Sequence, residues 1–471
     1  MNSQVDIGLA GLGVMGENLA LNLQKNGWSI ALFNRHEEKV QEFLKQHNDP
    51  SFTPCTTPEE FCKKLKTPRK ILLTVKSGPA VDEMIHLFIP HLEKGDVIID
   101  GGNSDYRHTT RRCHFLEEHG IHYVGLGISG GMEGAQNGAS LMAGCTLESW
   151  ELVKDILFSI AAKKENGEIC CMRAGTDGAG HFLKMVHNGI EYAEMQLIAE
   201  TYALLKHLLR WTPPQLQALY KKWNQTELNS YLLEITADIF SKTEPDGSFT
   251  IDKILDAAKQ KGTGQWSVQS ALEIGTPVPS LAQAVFARQL SSMKEERQRA
   301  SEILDEVPVS SGNSYHNSFA DSIRMAYHAS RISVYAQSFQ MLKMGAKFYH
   351  WDEMQMEDIA SIWQAGCIIR SEMLHDIRTA YKNDPALPNL LLSEHFHHTI
   401  TEYQRDWRIT AATGTLQGIP LPGITAALHY YDMIRSTDLP ANLIQAQRDY
   451  FGYHGFERND HPRGELFHLN P

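Results

Sequence analysis

The stretch Val5-Asp6-Ile7-Gly8-Leu9-Ala10-Gly11-Leu12-Gly13-Val14-Met15-Gly16 decides how the first third of the chain folds. Residues 5–10 form a short apolar run of strand length that ends at a glycine turn, and residues 18–25 carry helical spacing. Strand, Gly-x-Gly-x-x-Gly and helix, in that order, give the motif a mechanism. Gly11 permits the tight turn, Gly13 lets backbone approach a pyrophosphate, and Gly16 lets the helix pack close to the strand. Leu12, Val14 and Met15 complete the loop, and the helix N-terminus receives negative charge. A dinucleotide site at residues 11–16 is expected.

The segment that follows selects the cofactor. Residues 29–33 read as a second strand, ending Phe33-Asn34-Arg35-His36. A carboxylate at that tip would suit the ribose 2′-hydroxyl of NAD. The tip carries Arg35 instead, whose fork suits a 2′-phosphate. NADP is therefore the expected cofactor, with Asn34, Arg35 and His36 at its ribose end. Further strands at 71–75, 97–100, 123–126 and 141–143 alternate with helical patterns, so residues 1–178 are expected to form an α/β Rossmann-type domain with a parallel, doubly wound sheet.

The character changes near Gly175-Thr176-Asp177-Gly178-Ala179-Gly180. Residues 179–435 read as a large all-α domain, with amphipathic stretches at 181–209, 281–303 and 319–345. Residues 436–471 read as an irregular C-terminal tail rich in Arg, His, Tyr and Gly. Leu183-Lys184-Met185 and Ile323-Arg324-Met325 lie 140 residues apart, as do Trp223-Asn224 and Trp363-Gln364, the pattern expected of an internal duplication.

Lys184, His187, Asn188, Glu191 and Tyr192 fall on one helix face, opposite Phe182, Met185, Val186, Gly189, Ile190 and Ala193. Taken alone, that spacing reads more readily as an amphipathic helix with a solvated face. What favours chemistry is the cargo: a base, donors and an acid on a helix that starts at the junction of two domains, where ligand clefts lie. Ser129-Gly130-Gly131 follows the fifth apparent strand, and Lys261-Gly262-Thr263-Gly264 combines backbone donors, a hydroxyl and a cation. Each of these, taken alone, is more often a loop.

Several functions are disfavoured. A net charge of -12 argues against nucleic acid as the main partner. No apolar run approaches the ~20 residues of a membrane span. The N-terminus lacks a basic leader start, and seven cysteines without Cys-x-x-Cys suit a cytoplasmic protein with free thiols. His395, His397 and His398 lack metal-site spacing. Met341, Met344, Met354 and Met356 read as core fillers, and Lys294-Glu295-Glu296-Arg297 as a solvated helix face. No metal is expected.

Over essentially its whole length the chain resembles the 6-phosphogluconate dehydrogenases. The matching strings are 100–104 (DGGNS), 129–131 (SGG), 180–192 (GHFLKMVHNGIEY), 261–264 (KGTG), 286–288 (FAR) and 444–452 (IQAQRDYFG). The resemblance implies oxidative decarboxylation of 6-phosphogluconate to ribulose 5-phosphate and CO2 with reduction of NADP, a step of the pentose phosphate pathway. It implies a homodimer in which each C-terminal tail completes the partner's active site. By position, it makes Lys184 the general base and Glu191 the general acid. Asn103, Ser129, Gly130, Gly131, His187 and Asn188 would hold the sugar acid. Tyr192, Lys261, Thr263 and Arg288 would hold the 6-phosphate, and the second subunit would lend Arg448 and His454. Val75, Lys76 and Asn103 would line the cofactor. His36, Met132 and Gln265 depart from the family's usual Thr, Glu and Lys, which bears on cofactor affinity and site electrostatics rather than reaction class. A short β-hydroxyacid dehydrogenase shares the fingerprint and the Lys-Asn helix but lacks the second helical half and the phosphate residues. A catalytically silent NADP sensor would be expected to have lost Lys184 or Glu191.

Overall fold

A computed structural model describes residues 4–305 and 316–469; the first three residues, on which the reading of the N-terminus also bears, lie outside them. The N-terminal part runs β1 (Ile7–Ala10), α1 (Val14–Lys25), β2 (Ile30–Phe33), α2 (Glu37–Gln46), β3 (Phe52–Pro54), α3 (Pro58–Lys64), β4 (Lys70–Leu73), α4 (Pro79–Phe88), β5 (Val97–Asp100) and α5 (Tyr106–Glu117). It continues through β6 (His122–Ser129), α6 (Gly131–Asn137), β7 (Ser140–Gly144), α7 (Leu147–Ile160) and β8 (Cys171–Gly175). The eight strands lie in the order β3-β2-β1-β4-β5-β6-β7-β8. β1, β2 and β5 are buried along their whole length, because helices cover both faces of a parallel sheet. That is why these strands read as continuous apolar runs rather than as alternating ones.

Two features depart from the expected parallel sheet. β3 and β8 are additional edge strands, too short or too polar in sequence to stand out. β7 runs antiparallel to β6, pairing Gly125 with Gly144 and Ser129 with Ser140. Only residues 130–139 separate the two strands. A parallel return needs a crossover of a dozen or more residues, so the chain can only double back. The order reverses between β1 and β4, whose carboxyl ends open the crevice where such sheets bind ligands.

The helical part comprises α8 (Ala179–Leu208), α9 (Pro213–Trp223), α10 (Tyr231–Ile239), α11 (Thr263–Glu273), α12 (Pro279–Ser292), α13 (Lys294–Ile303), α14 (Phe319–Phe348), α15 (Met356–Ile362), α16 (Met373–Asn383), α17 (Glu394–Leu416) and α18 (Pro422–Arg435). The stretch 281–303 is two helices rather than one, broken where Met293 turns to ψ 52°. α8 and α14 are each 30 residues long and are joined by a fully buried ion pair, Arg331 Nε to Glu194 Oε1 at 3.0 Å. The tail is not irregular throughout: Ala441–Gly452 forms α19, built from good helix formers and started after Pro440. Its large apolar side chains face outward, so the burial periodicity that marks a globular helix is missing.

The two parts share one core. Tyr106, Met142, Cys170 and Ala174 of the sheet unit belong to the same buried cluster as Phe182, Leu183 and Trp363. The Tyr106 and Tyr349 hydroxyls meet at 2.6 Å across the junction. α8 lies directly on the backbones of β6 and β7 because glycines face it. A Cβ on Gly127 would fall 2.6 Å from Lys184 Cβ and 2.9 Å from the Gly180 carbonyl; one on Gly144 would fall 2.5 Å from the Gly180 nitrogen. This close approach carries residue 184 to the carboxyl end of β6.

Candidate active site

The fingerprint loop has the geometry its glycines suggested. Gly11 sits at φ +109°, and its absent Cβ would meet the Thr74 carbonyl at 2.9 Å. A Cβ on Gly16 would run into the Gly11 carbonyl, so this glycine sets the approach of α1 to the loop. Gly13 differs: nothing in the protein lies within 4 Å of where its Cβ would be. Its bare backbone faces open space at the N-cap of α1, where no side chain caps the first turn. A twelve-residue helix with uncapped N–H groups behind a glycine that no protein atom requires fits a pyrophosphate. Asn34 has a task in the loop itself: its Oδ1 accepts from the Leu12 N–H at 3.0 Å and its Nδ2 donates to the His36 carbonyl at 3.0 Å. Arg35 is exposed and pairs with Glu83 of α4 at 2.6 Å. The strand tip has no carboxylate of its own, but the tertiary structure brings one from 48 residues further along the chain. Val75 and Lys76 leave β4 beside this loop, and Asn103 is exposed after β5.

The helix face carrying Lys184, His187 and Asn188 is buried, not solvated. Lys184 is 7% exposed, and burial pushes its ammonium pKa down against the opposing pull of Glu191 and Cys367. Glu191 shifts the other way, its carboxyl raised by burial although Lys184 and Arg288 pull it down. A base whose cation is disfavoured and an acid whose anion is disfavoured on one helix face is an arrangement for moving protons. His187 is fully buried and held neutral by burial and by the neighbouring Lys184. Its Nε2 meets Ser129 Oγ at 3.0 Å and its ring stands edge-on to Trp363 at 5.5 Å. Ser129 thus ends β6 against α8. Gly130 follows at φ +134°, where a Cβ would strike the Gly366 carbonyl at 2.5 Å, and Gly131, at φ +62°, starts α6.

A second cluster lies one turn further along α8. The Arg288 guanidinium stacks 3.5 Å above the Tyr192 ring, and Gly264 lies so close beneath that a Cβ would enter the ring. Thr263 is buried at the first turn of α11, after Gly262 in the left-handed conformation, and the preceding Lys261 is exposed. Among the described residues Arg288 forms no salt bridge, although the Glu191 carboxyl is near enough to act on its charge, and its Nη2 donates to Met195 Sδ at 3.5 Å. Arg448 and His454 are not gathered into this site. Arg448 is exposed on α19, where its Nη1 donates to Gln445 Oε1 at 3.0 Å, and His454 is exposed beyond it. His395, His397 and His398 are exposed on α17, while Met341, Met354 and Met356 are core residues.

The reading of the sequence missed the floor of the site. Trp363, Gly366 and Cys367 come from the turn after α15, some 180 residues beyond Lys184. The Gly366 carbonyl accepts from Ser140 N at 3.1 Å and fills the space under Gly130. The one signal was Trp363, which stood out only as half of a repeated pair.

A dinucleotide-type sheet fused to a helical unit whose first helix buries a lysine two turns before a half-buried carboxyl group is the architecture of a dinucleotide-dependent dehydrogenase. Comparison with known proteins narrows the class. Residues 6–175 match the NAD binding domain of 6-phosphogluconate dehydrogenase, and residues 180–471 match the 6-phosphogluconate dehydrogenase C-terminal domain. The chain belongs to the 6-phosphogluconate dehydrogenase family. It is 47% identical to "6-phosphogluconate dehydrogenase, NADP(+)-dependent, decarboxylating" of Bacillus subtilis, covering 99% of both chains. It is 46% identical to "6-phosphogluconate dehydrogenase, decarboxylating" of Staphylococcus epidermidis, covering 98% of both. Among solved structures, the Plasmodium falciparum 6-phosphogluconate dehydrogenase, studied with NADP+ and with 6-phosphogluconate, superposes with a TM-score of 0.94 at 39% identity, covering 99% of this chain and 100% of that one.

Proposed function

We propose that this chain oxidises 6-phosphogluconate with NADP, releasing CO2 and forming ribulose 5-phosphate. The observation that carries the reading is the buried Lys184 with the half-buried Glu191 on the same face of α8, two groups shifted in opposite directions. The full-length similarity to NADP-dependent, decarboxylating relatives supports the choice of substrate and cofactor.

The loop 11–16, Arg35, Val75, Lys76 and Asn103 hold NADP, which supplies the hydride acceptor. Ser129, Gly130, Gly131, Asn103, His187 and Asn188 hold the sugar acid. Tyr192, Lys261, Thr263 and Arg288 take the 6-phosphate, whose binding energy orients the reacting carbons. Neutral Lys184 accepts the proton of the C3 hydroxyl as that carbon loses hydride. The resulting ammonium hydrogen-bonds the new ketone, stabilising the enolate as the C1 carboxylate leaves. Glu191 then gives its proton to the enediol carbon. The ammonium does the polarising that a metal ion does elsewhere.

The tail supports a homodimer. Leu443, Ile444, Tyr450 and Phe451 are exposed, and among the described residues the hydrogen bonds of 440–469 stay within that segment. A second copy would cover these side chains and receive Arg448 and His454. The same reading divides the chain into 1–178, 179–435 and 436–471. Equal-length helices starting 140 residues apart favour a duplicated helical unit. Seven unpaired cysteines suit a cytoplasmic location; no helix of the described residues is long and apolar enough to cross a membrane.

The test is NADPH formation, read at its absorbance band, together with CO2 release from 6-phosphogluconate. A short 3-hydroxy acid serves as the rival substrate. NADPH with the rival and none with 6-phosphogluconate would overturn the assignment. Sedimentation of the full chain against a form ending at residue 440 tests the role of the tail.

A further inference from the structure

Two loops that flank the fingerprint leave the carboxyl ends of β4 and β5, and a single side chain reaches both. Arg112, on α5, is 1% exposed. Its Nε and Nη2 grip Asp82 of α4 in a two-point contact, both at 2.9 Å. Nη2 also donates to the Gly78 carbonyl at 2.9 Å, at the end of the loop that carries Val75 and Lys76. Nη1 points the other way, 3.5 Å from Ser104 Oγ and 3.5 Å from Asp100 Oδ2.

Asp100 ends β5 and is fully buried. Its carboxylate accepts from Gly102 N at 3.0 Å, Ser104 Oγ at 2.7 Å and Tyr123 OH at 2.9 Å, which fixes the loop that displays Asn103. The buried guanidinium is thus satisfied by two carboxylates and a carbonyl drawn from three segments, α4 and the two loops. Buried charge is costly to break and geometrically demanding, so such a hub fixes spacing more than it adds net stability. The neighbouring acid on α4, Glu83, holds Arg35. One turn of α4 therefore meets the Arg112 hub through Asp82 and the strand tip at Arg35 through Glu83.

We propose that Arg112 is a positioning residue for the dinucleotide site, setting the distance between the Val75–Lys76 loop and the Asn103 loop so that both meet the cofactor at once. This rests on the NADP reading above. Arg112 touches the shared frame of the cofactor cleft and not the 2′-phosphate end, so its loss weakens NADP and NAD alike.

The test uses the full-length enzyme and two variants, Arg112→Met and the milder Asp82→Asn, which keeps the shape of the carboxylate and removes its charge. Steady-state kinetics give KM for NADP and for NAD, and fluorescence titration gives the NADPH Kd. The expected result for Arg112→Met is a rise of about tenfold in all three, an unchanged NADP-to-NAD ratio and a kcat within about threefold of wild type; Asp82→Asn shows a smaller rise of the same kind. A merely structural role would lower the active fraction, and hence kcat, with every KM unchanged, and that result overturns the proposal. Should Arg112→Met not fold, Asp82→Asn decides alone, and wild-type constants in it overturn the proposal. Failure of the underlying reading looks different, because it appears in the wild-type enzyme as no turnover of 6-phosphogluconate.

Discussion

Replacing Gly127 with alanine adds one methyl group between β6 and α8, at the place where the helix delivers Lys184. The new Cβ would lie 2.6 Å from Lys184 Cβ and 2.9 Å from the Gly180 carbonyl, against an ordinary contact of at least 3.4 Å. The shortfall is about 0.8 Å. Neither neighbour yields by changing rotamer, since one is a Cβ and the other is helix backbone. A Cβ on Gly180 would in turn fall 2.3 Å from the Met142 carbonyl and 2.4 Å from the Gly125 carbonyl, so the seam has no slack there and the first turns of α8 must lift from the sheet as a unit. Overpacking of this kind costs ~1–3 kcal/mol of stability. Its larger effect is on the reaction, because a displacement on the order of 1 Å in a catalytic group costs roughly 10²-fold in rate. The expected outcome is a folded protein with its thermal midpoint lowered by a few degrees, kcat for 6-phosphogluconate reduced by about 10²-fold and NADPH affinity unchanged, since the fingerprint loop lies on β1. Binding is read by fluorescence and kcat by NADPH formation. A Gly127→Ala protein with wild-type kcat would refute the claim that the glycine seam sets the position of Lys184.

Four further outcomes follow from the same geometry. Lys184→Met removes the base and should lower kcat by about 10²–10⁴-fold while NADPH still binds; because burial lowers the Lys184 pKa, the acid limb of kcat/KM lies below pH 10.5 in the wild type, and a limb that persists in Lys184→Met would assign it to another group. Glu191→Gln should slow protonation of the enediol carbon, read as loss of ribulose 5-phosphate formation, and unchanged kinetics would remove Glu191 from the mechanism. Arg35→Asp should cut the NADP-to-NAD preference by about 10–100-fold, the range of a charge-assisted bond, whereas Glu83→Gln should raise that preference by up to about fivefold by freeing Arg35 from a surface pair; an unmoved ratio in both would place the 2′-phosphate elsewhere. Glu200, buried under the first N–H groups of α18, has its carboxyl raised to about 7 by burial. The folded state then holds a proton that the unfolded chain releases above pH 4.5, so stability should fall by about 3 kcal/mol between pH 4.5 and 7. Glu200→Gln should flatten that stretch of the denaturation profile, and an unchanged slope would show that the carboxylate is already ionised there.

Some of this was legible one residue at a time. The fingerprint could be read because its chemistry is local: turn, close approach and helix start follow one another within six residues. Arg35 was legible as a cation at a strand tip, but its partner Glu83 was not, because α4 reaches it only once β4 has been laid beside β1. The helix from Lys184 to Tyr192 showed its spacing, and spacing alone could not tell a wet face from a buried one. The Asp100–Arg112–Asp82 hub left no trace in periodicity, since each member looks like an ordinary surface charge until the loops that bury it are in place.

The sequence by itself determined the local grammar: the glycine loop, the alternation that makes a sheet with covered faces, the two long helices 140 residues apart, and the residue types that proton transfer requires. Those depend on backbone geometry and on patterns a few residues long. What those residues do depends on how the elements pack. The tertiary structure turned β7 against β6, slid α8 onto a seam of glycines, and brought Trp363, Gly366 and Cys367 beneath His187 and Lys184. Burial is a property of what lies opposite a residue, and it is burial that makes Lys184 a base and Glu191 an acid.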